Sequence, residues 1–261
     1  MKINLKNEKD LEGLRASGKI LAFVLGRLEG EARVGLRLDF LDGLARELLH
    51  EAGAKPAFLG YKSEGAKTPY PAAICTSVNA TIVHGLPGDY KLKEGDILKI
   101  DLGVEYNGYV TDAAVTVGIG QISEAAKQLI KTTKEALAKA VAEFKEGNHL
   151  GDIGWVVESK VEQNGFKVIK SLTGHGVGFE LHEDPVVYNY GNRGEGMKLQ
   201  KGLVLAIEPM VSIGGADVKQ MPDGSFITRD NSLTAHFEHT MALTQDGPEI
   251  LTSLKTDENI F

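Results

Sequence analysis

The ten residues Leu92-Lys93-Glu94-Gly95-Asp96-Ile97-Leu98-Lys99-Ile100-Asp101 return as Leu199-Gln200-Lys201-Gly202-Leu203-Val204-Leu205-Ala206-Ile207-Glu208. Leu, Gly, Leu and Ile recur in place, and an acid closes each copy. Each copy reads as a turn followed by an apolar strand that carries a carboxylate out of a buried run. Burying one ionised acid is costly, and burying several together requires a cation or a shared proton. The pattern predicts a duplicated half-domain with a metal site between the halves.

Outward from the first copy, Ile97 to Val117 alternates into a hairpin whose best turn is Asn107-Gly108, the residue pair a type I′ turn demands. With Tyr106 facing Tyr109, Asp101 faces Ala114 and Asp112 faces Gly103. Asp101 and Asp112 then share one face as diagonal neighbours, roughly 7 to 8 Å apart at the backbone, a spacing at which two carboxylates can hold one divalent cation. Taken alone, the pair reads equally well as a charged hairpin face exposed to water.

The helices repeat as well. Leu11, Leu14, Ile20, Leu21, Val24, Leu25 and Leu28 recur at helical spacing between Glu8 and Gly30. A second helix is expected from about Asp39, its candidate N-cap, to Glu51, with Leu41, Leu44, Leu48 and Leu49 as its stripe and Gly53 beyond its end. The second half offers a helix from Ser123 to Lys145 and another from about Asp152 to Gln163, closed by Asn164-Gly165. Leu38 precedes Gly53 by the same fifteen residues that separate Leu150 from Gly165. Two helices and then strands, twice over, is the order of a pseudo-twofold α+β domain. Tyr61 to Pro71 and Gly191 to Gly196 read as surface loops, Pro222-Asp223-Gly224 as a turn before a final hairpin, and fraying is expected after Leu254.

With 261 residues and 42% hydrophobic content, the chain can bury a substantial core, and it reads as one unit over residues 1–261. A net charge of −7 with interspersed signs does not favour nucleic acid or an acidic membrane surface as a partner. Cys75, the one cysteine, cannot form an internal disulfide. The N-terminus lacks the apolar run of a signal peptide, and no apolar stretch reaches spanning length. A cytoplasmic location without membrane insertion is expected.

Further candidates lie in Thr173-Gly174-His175-Gly176-Val177-Gly178-Phe179-Glu180-Leu181-His182, where alternating glycines let the backbone at His175 approach a ligand closely. Glu208 precedes Pro209, which stops ladder pairing, and Glu238 alternates away from Phe237 and Met241. Asp101, Asp112, Glu208 and Glu238 carry four negative charges, which two divalent ions would neutralise, and His175 adds a nitrogen donor. Mixed oxygen and nitrogen donors suit Mn, Fe, Co or Zn, which activate a bound water near neutral pH. A nucleotide loop is disfavoured because no Gly-Lys-Ser/Thr occurs, and no Gly-x-Ser-x-Gly, His-Glu-x-x-His or Cys-x-x-Cys is present. Cys75 reads as a packed thiol rather than a nucleophile.

The stretches Asn79-Ala80-Thr81-Ile82-Val83-His84-Gly85-Leu86-Pro87, Lys99-Ile100-Asp101-Leu102-Gly103, Gly108-Tyr109-Val110-Thr111-Asp112, Gly174-His175-Gly176-Val177-Gly178, Leu181-His182-Glu183-Asp184-Pro185, Ile207-Glu208-Pro209-Met210 and Phe237-Glu238-His239-Thr240 together resemble the methionine aminopeptidase family over almost the whole chain. The resemblance implies the pita-bread fold, two halves with helices backing a curved antiparallel sheet. It implies that Asp112 and Glu238 bridge two metal ions, that Asp101 completes one coordination sphere, and that His175 and Glu208 complete the other. Glu208 is also implied as general base. His84 and His182 are implied as the histidines that hydrogen-bond the scissile amide and the tetrahedral intermediate, not as ligands.

Only thirty residues separate Glu208 from Glu238, and no extra N-terminal domain precedes His84, so the resemblance is to the short type 1 form rather than to type 2 enzymes or the proline-specific relatives. Tyr61, Tyr70, Cys75 and Phe58 match the family's methionine pocket. Leu181 stands where a Phe is usual, the Trp common before the last motif is absent with Phe226 nearest, and the Tyr61–Tyr70 loop is longer than typical. The loop around Asn79, Thr81 and Thr234 resembles the family's monovalent-cation site. The implied substrate is the N-terminal methionine of nascent polypeptides, with small second residues preferred, met by a monomer in transient contact with the ribosome. The competing readings are a non-catalytic binding protein on the same fold and an aminopeptidase of Xaa-Pro-like specificity.

Overall fold

A left-handed glycine stands fourth in each copy of the repeat, with φ at Gly95 of 88° and at Gly202 of 87°. This conformation is costly for any residue with a Cβ, and it turns the chain into a strand at the same point of both copies. The computed structural model describes residues 2–62 and 68–253. The middle of the Tyr61–Pro71 loop and the fraying expected after Leu254 lie outside them.

Helices α1 (Glu8–Glu31), α2 (Leu38–Glu51), α3 (Glu124–Glu143) and α4 (Leu150–Gln163) match the four expected from periodicity. Both α2 and α4 have 14 residues, and both stop at a left-handed glycine, Gly53 at φ 67° and Gly165 at φ 77°. The repeated fifteen-residue spacing is therefore one helix with its terminator, made twice. Their starts differ from expectation. Helix α2 begins at Leu38 with Arg37 at the cap position and no side-chain cap, so Asp39 sits in the first turn, where its carboxylate meets the helix dipole and the Arg37 guanidinium. Helix α4 begins two residues early because Asp152 acts from the third helical position, accepting from the His149 backbone N–H at 2.7 Å. Ser123 caps α3 as expected, and α3 ends at Glu143.

The strands are β1 (Lys55–Pro56), β2 (Cys75–Val78), β3 (Thr81–Val83), β4 (Ile97–Tyr106), β5 (Tyr109–Gly118), β6 (Lys167–Val168), β7 (Gly174–Gly176), β8 (Glu183–Val187), β9 (Val204–Ile207), β10 (Met210–Ser212), β11 (Val218–Gln220), β12 (Phe226–Thr228), β13 (Thr234–His236), β14 (Glu238–Thr244) and β15 (Gly247–Ile250). A nine-stranded sheet runs in the order β1-β4-β5-β14-β9-β7-β8, with β2 on β4 and β15 on β14. All its pairs are antiparallel. β14 joins the halves by pairing with β5 on one side and β9 on the other. The β4–β5 register is the one computed from the Asn107-Gly108 turn, down to Asp101 against Ala114 and Gly103 against Asp112. Pro222-Asp223-Gly224 links β11 to β12 rather than preceding the last hairpin, which is β14–β15.

Each half has its own apolar core. Leu21, Leu28, Leu41 and Leu49 from α1 and α2 pack with Leu98, Ile100 and Leu102 of β4. Ala136, Ala140, Ile153 and Val157 from α3 and α4 pack with Leu205, Ile207 and Met241. Each fully buried Leu or Ile contributes roughly 1.5–3 kcal/mol relative to exposure. These layers hold one face of the sheet, and the acids emerge on the other. No described helix is long and apolar enough to cross a membrane.

Candidate metal centre

Strand pleating sets the acids in a row. Cys75 of β2 faces Asp101 of β4, Asp101 faces Ala114 of β5, and Ala114 faces Glu238 of β14. Directly opposed residues in antiparallel strands share a face, so Asp101 and Glu238 flank the small Ala114, and Asp112 follows two residues before it. Glu208 lies between β9 and β10, where Pro209 interrupts the ladder, and its carbonyl accepts from Asn189 Nδ2 at 3.0 Å. His175 sits in β7 opposite Ala206 of β9.

Two sets of donor atoms converge, each within 4.8 Å: Asp112, His175 and Glu238, and Glu208, His236 and Glu238. Glu238 belongs to both. His175 Nε2 is 3.6 Å from Glu208 Oε1 and 3.9 Å from Asp112 Oδ2, which connects the two sets. His175 Nδ1 lies 2.9 Å from the Gly176 carbonyl, and donation to that oxygen leaves the Nε2 lone pair free for a ligand. Asp101 shares the face but falls outside both sets.

The acids are buried, with Asp101 and Glu208 each 8% exposed, Asp112 4% and Glu238 2%. Among the described residues, Asp101 Oδ1, Asp112 Oδ1 and Glu238 Oε1 have no hydrogen-bond partner. Burial first, then the neighbouring acids, pushes Asp112 and Glu238 well above the carboxylate range, and burial also raises Asp101 and Glu208. An arrangement this unfavourable for bare acids suits divalent cations, whose charge restores the ionised carboxylates and fills the unpartnered oxygens. Carboxylate oxygens with imidazole nitrogens fit Mn, Fe, Co or Zn.

Around this centre stand the two histidines expected at the substrate. His84 follows β3 in a left-handed backbone conformation, φ 60°, with its ring 5.6 Å edge-on from Phe226. The next residue must be glycine, because a Cβ on Gly85 would stand 2.3 Å from the Thr76 carbonyl of β2. His182 lies before β8, its ring 4.3 Å from that of His175. Burial lowers His84 to about 4, helped by His236, and lowers His182 to about 3, helped by His175 and His84. Both rings are neutral near pH 7 and can each donate one proton. Tyr61, Tyr70, Cys75, Leu181 and Phe58, the expected pocket residues, gather in one apolar cluster. Burial and then Asp101 push the Cys75 thiol well above its usual value, consistent with a packed rather than reactive sulfur.

Two residues beside the centre were not singled out from the sequence. His236 is 1% exposed, with Nε2 3.2 Å from Glu208 Oε2. The available signal was parity, since His236 and Glu238 are two apart and face the same way. Lys99, also 1% exposed, follows the same rule relative to Asp101. Its Nζ lies 2.7 Å from the Asn79 carbonyl, which also accepts from Thr234 Oγ1 at 3.0 Å, while Thr81 O lies 3.1 Å from the same hydroxyl. The Lys99 amine, whose proton affinity burial lowers, thus sits on the loop that resembles a monovalent-cation site.

Residues 12–245 match metallopeptidase family M24. The chain is 45% identical to a methionine aminopeptidase of Clostridium perfringens, covering 97% of this chain and 100% of that one. The crystal structure of a methionine aminopeptidase from Thermotoga maritima superposes with a TM-score of 0.93 at 42% identity, covering 97% of this chain and all of the other. A prolidase from Pyrococcus furiosus shares the fold at a TM-score of 0.75 and 22% identity, with 96% of this chain covering 66% of that one.

Proposed function

We infer, from the premise that the chain belongs to metallopeptidase family M24, that it is a methionine aminopeptidase, removing the N-terminal methionine from polypeptides with the help of divalent metal ions. The observation that carries the reading is the pair of donor sets sharing Glu238 in a site where carboxylate oxygens lack other partners. Asp112 and Glu238 are our candidates for bridging ligands, Asp101 for completing one side, and His175 with Glu208 for the other. The ions would polarise the scissile carbonyl, bind the free amine and activate water for attack.

The chain's own residues supply the rest. Glu208, ionised when the metal ions are bound, accepts a proton from the attacking water and passes it to the leaving amine. His84 and His182, held neutral, donate to the scissile amide and to the oxygen that gains charge; fixed donors of this kind stabilise the transition state without reorganising. Tyr61, Tyr70, Cys75, Leu181 and Phe58 form the apolar wall for the methionine side chain. Two histidines close to the scissile bond leave little space beyond it, which favours small second residues. The whole chain, residues 1–261, acts as one catalytic unit, a monomer in the cytoplasm in transient contact with ribosomes.

The test is release of free methionine from Met-Gly and Met-Ala peptides by protein reloaded with Mn or Co, beside a chelated control and a Xaa-Pro peptide. Metal-dependent cleavage of the methionine peptides alone is expected. Cleavage of only the Xaa-Pro peptide, or of none despite bound metal, overturns the assignment.

A further inference from the structure

The Tyr61 hydroxyl lies 2.6 Å from Nδ1 of His182, across 121 positions of sequence. The two rings are 5.1 Å apart between centroids and tilted by 44°. Tyr61 is pinned at the base of its loop, its N–H donating to the Phe58 carbonyl at 2.9 Å and its own carbonyl accepting from the Tyr70 N–H at 2.8 Å. Gly60 N–H donates to the Tyr70 carbonyl at 2.8 Å, so two backbone bonds close this loop base. These bonds fix the main chain at Tyr61, and its ring packs against the apolar cluster of Phe58, Cys75 and Leu181.

The direction of the bond follows from donor and acceptor strength. Among the described residues the Tyr61 hydroxyl makes no other hydrogen bond, and neither does His182 Nδ1. A phenol O–H is a stronger donor than a neutral imidazole N–H, and an imidazole nitrogen a stronger acceptor than a phenol oxygen, so the 2.6 Å contact is best made with the phenol donating. Donation from the phenol into the Nδ1 lone pair satisfies both groups, and a neutral imidazole with Nδ1 as acceptor carries its proton on Nε2.

We propose that Tyr61 is a positioning residue for His182, its hydroxyl fixing the imidazole in the Nε2–H tautomer and so making that nitrogen the donor toward the substrate. The proposal rests on the aminopeptidase reading for the identity of the substrate, and on the contact's geometry and the two groups' donor strengths for the tautomer. It gives Tyr61 a second task beside lining the methionine pocket, and the two tasks belong to different parts of the side chain. The ring contributes apolar wall; the oxygen sets the proton.

Tyr61→Phe keeps the ring and deletes the oxygen. With Mn-loaded enzyme and a Met-Ala peptide, kcat is expected to fall about ten-fold or more, part of the roughly 10²- to 10³-fold that losing a transition-state donor costs, with KM within about two-fold of the wild type. Tyr61→Leu, which also removes the ring, is expected to raise KM in addition. Nitrogen NMR of the zinc-loaded full-length protein, with His182 assigned by its loss in His182→Gln, reads the tautomer directly. The wild type is expected to show a protonated Nε2 and an unprotonated Nδ1, and Tyr61→Phe a mixture. An unchanged kcat in Tyr61→Phe, or a wild-type His182 protonated at Nδ1, overturns the proposal. Failure of the wild type to release methionine would overturn the aminopeptidase reading, while an Nε2–H tautomer lost in Tyr61→Phe would still support the positioning bond.

Discussion

His236 Nε2 lies 3.2 Å from Glu208 Oε2, in a pocket where, among the described residues, neither ring nitrogen of His236 has a hydrogen bond. Small reorientation of the imidazole would turn this approach into a bond that fixes the carboxylate proposed as ligand and base. His236→Ala is expected to weaken divalent-metal affinity by about 10- to 100-fold, as removal of an orienting partner typically does. Titration calorimetry with Mn checks this. Affinity equal to the wild type would assign His236 to packing alone.

The four acids repel one another in the metal-free protein, and burial raises the proton affinity of each. Removing one of them relieves strain in the apo state and removes a ligand from the loaded state. Asp112→Asn is therefore expected to melt higher than the wild type in chelator, to gain less stability on adding Mn or Co, and to lose turnover. Thermal melts with and without metal measure both halves. An Asp112→Asn protein that retains full metal-dependent turnover refutes the bridging role.

Part of this centre was legible in the chain and part was not, for physical reasons. The positions of Asp101 and Asp112 followed from local rules, because Asn107-Gly108 allows few turn geometries and a period of two then determines every facing pair. The helix ends at Gly53 and Gly165 were equally local. The starts at Leu38 and Leu150 were misread, since several polar residues near each start compete for the cap and tertiary contacts decide: Asp152 also accepts from Gly194 N–H at 2.9 Å. The Tyr61–His182 bond joins two loops and leaves no periodic trace. His236 is intermediate, readable by parity with Glu238 but inconspicuous as one histidine in an apolar strand.

Helix α1 passes so close to the last described turn that a Cβ on Gly18 would stand 2.1 Å from the Leu251 carbonyl oxygen. Gly18→Ala must push helix and turn apart, and overpacking of this kind costs roughly 1–3 kcal/mol. Gly26, on the same helix, has nothing within 4 Å of the same position. Gly26→Ala is expected to stabilise the protein by roughly 0.5–1 kcal/mol through helix propensity. Urea unfolding of the two variants should give shifts of opposite sign; equal shifts would refute the close contact at Gly18.

Lys6 and Glu183 tie the N-terminal segment to β8 through an ion pair of 2.5 Å between side chains 1% and 2% exposed. Burial would raise the Glu183 carboxyl, but the Lys6 ammonium, the Phe179 N–H and Asn4 outweigh it and hold it below its usual 4.5. Lys6 is itself lowered, because burial acts on its ammonium more strongly than Glu183 offsets. Four donors converge on Glu183, so its carboxylate sets the acid limb of the pair. A carboxyl depressed on folding stabilises fully above its unfolded value and loses that contribution as pH falls through the folded value. Stability attributable to Glu183 should therefore be complete at pH 7 and decline below about 4.5. Lys6→Met removes the main lowering partner, costs about 3 kcal/mol at pH 7, and flattens this acid limb. Chelated wild type and Lys6→Met compared by melting at pH 7 and pH 4 test it: the wild type should lose more on acidification, and equal losses would place the acid sensitivity elsewhere.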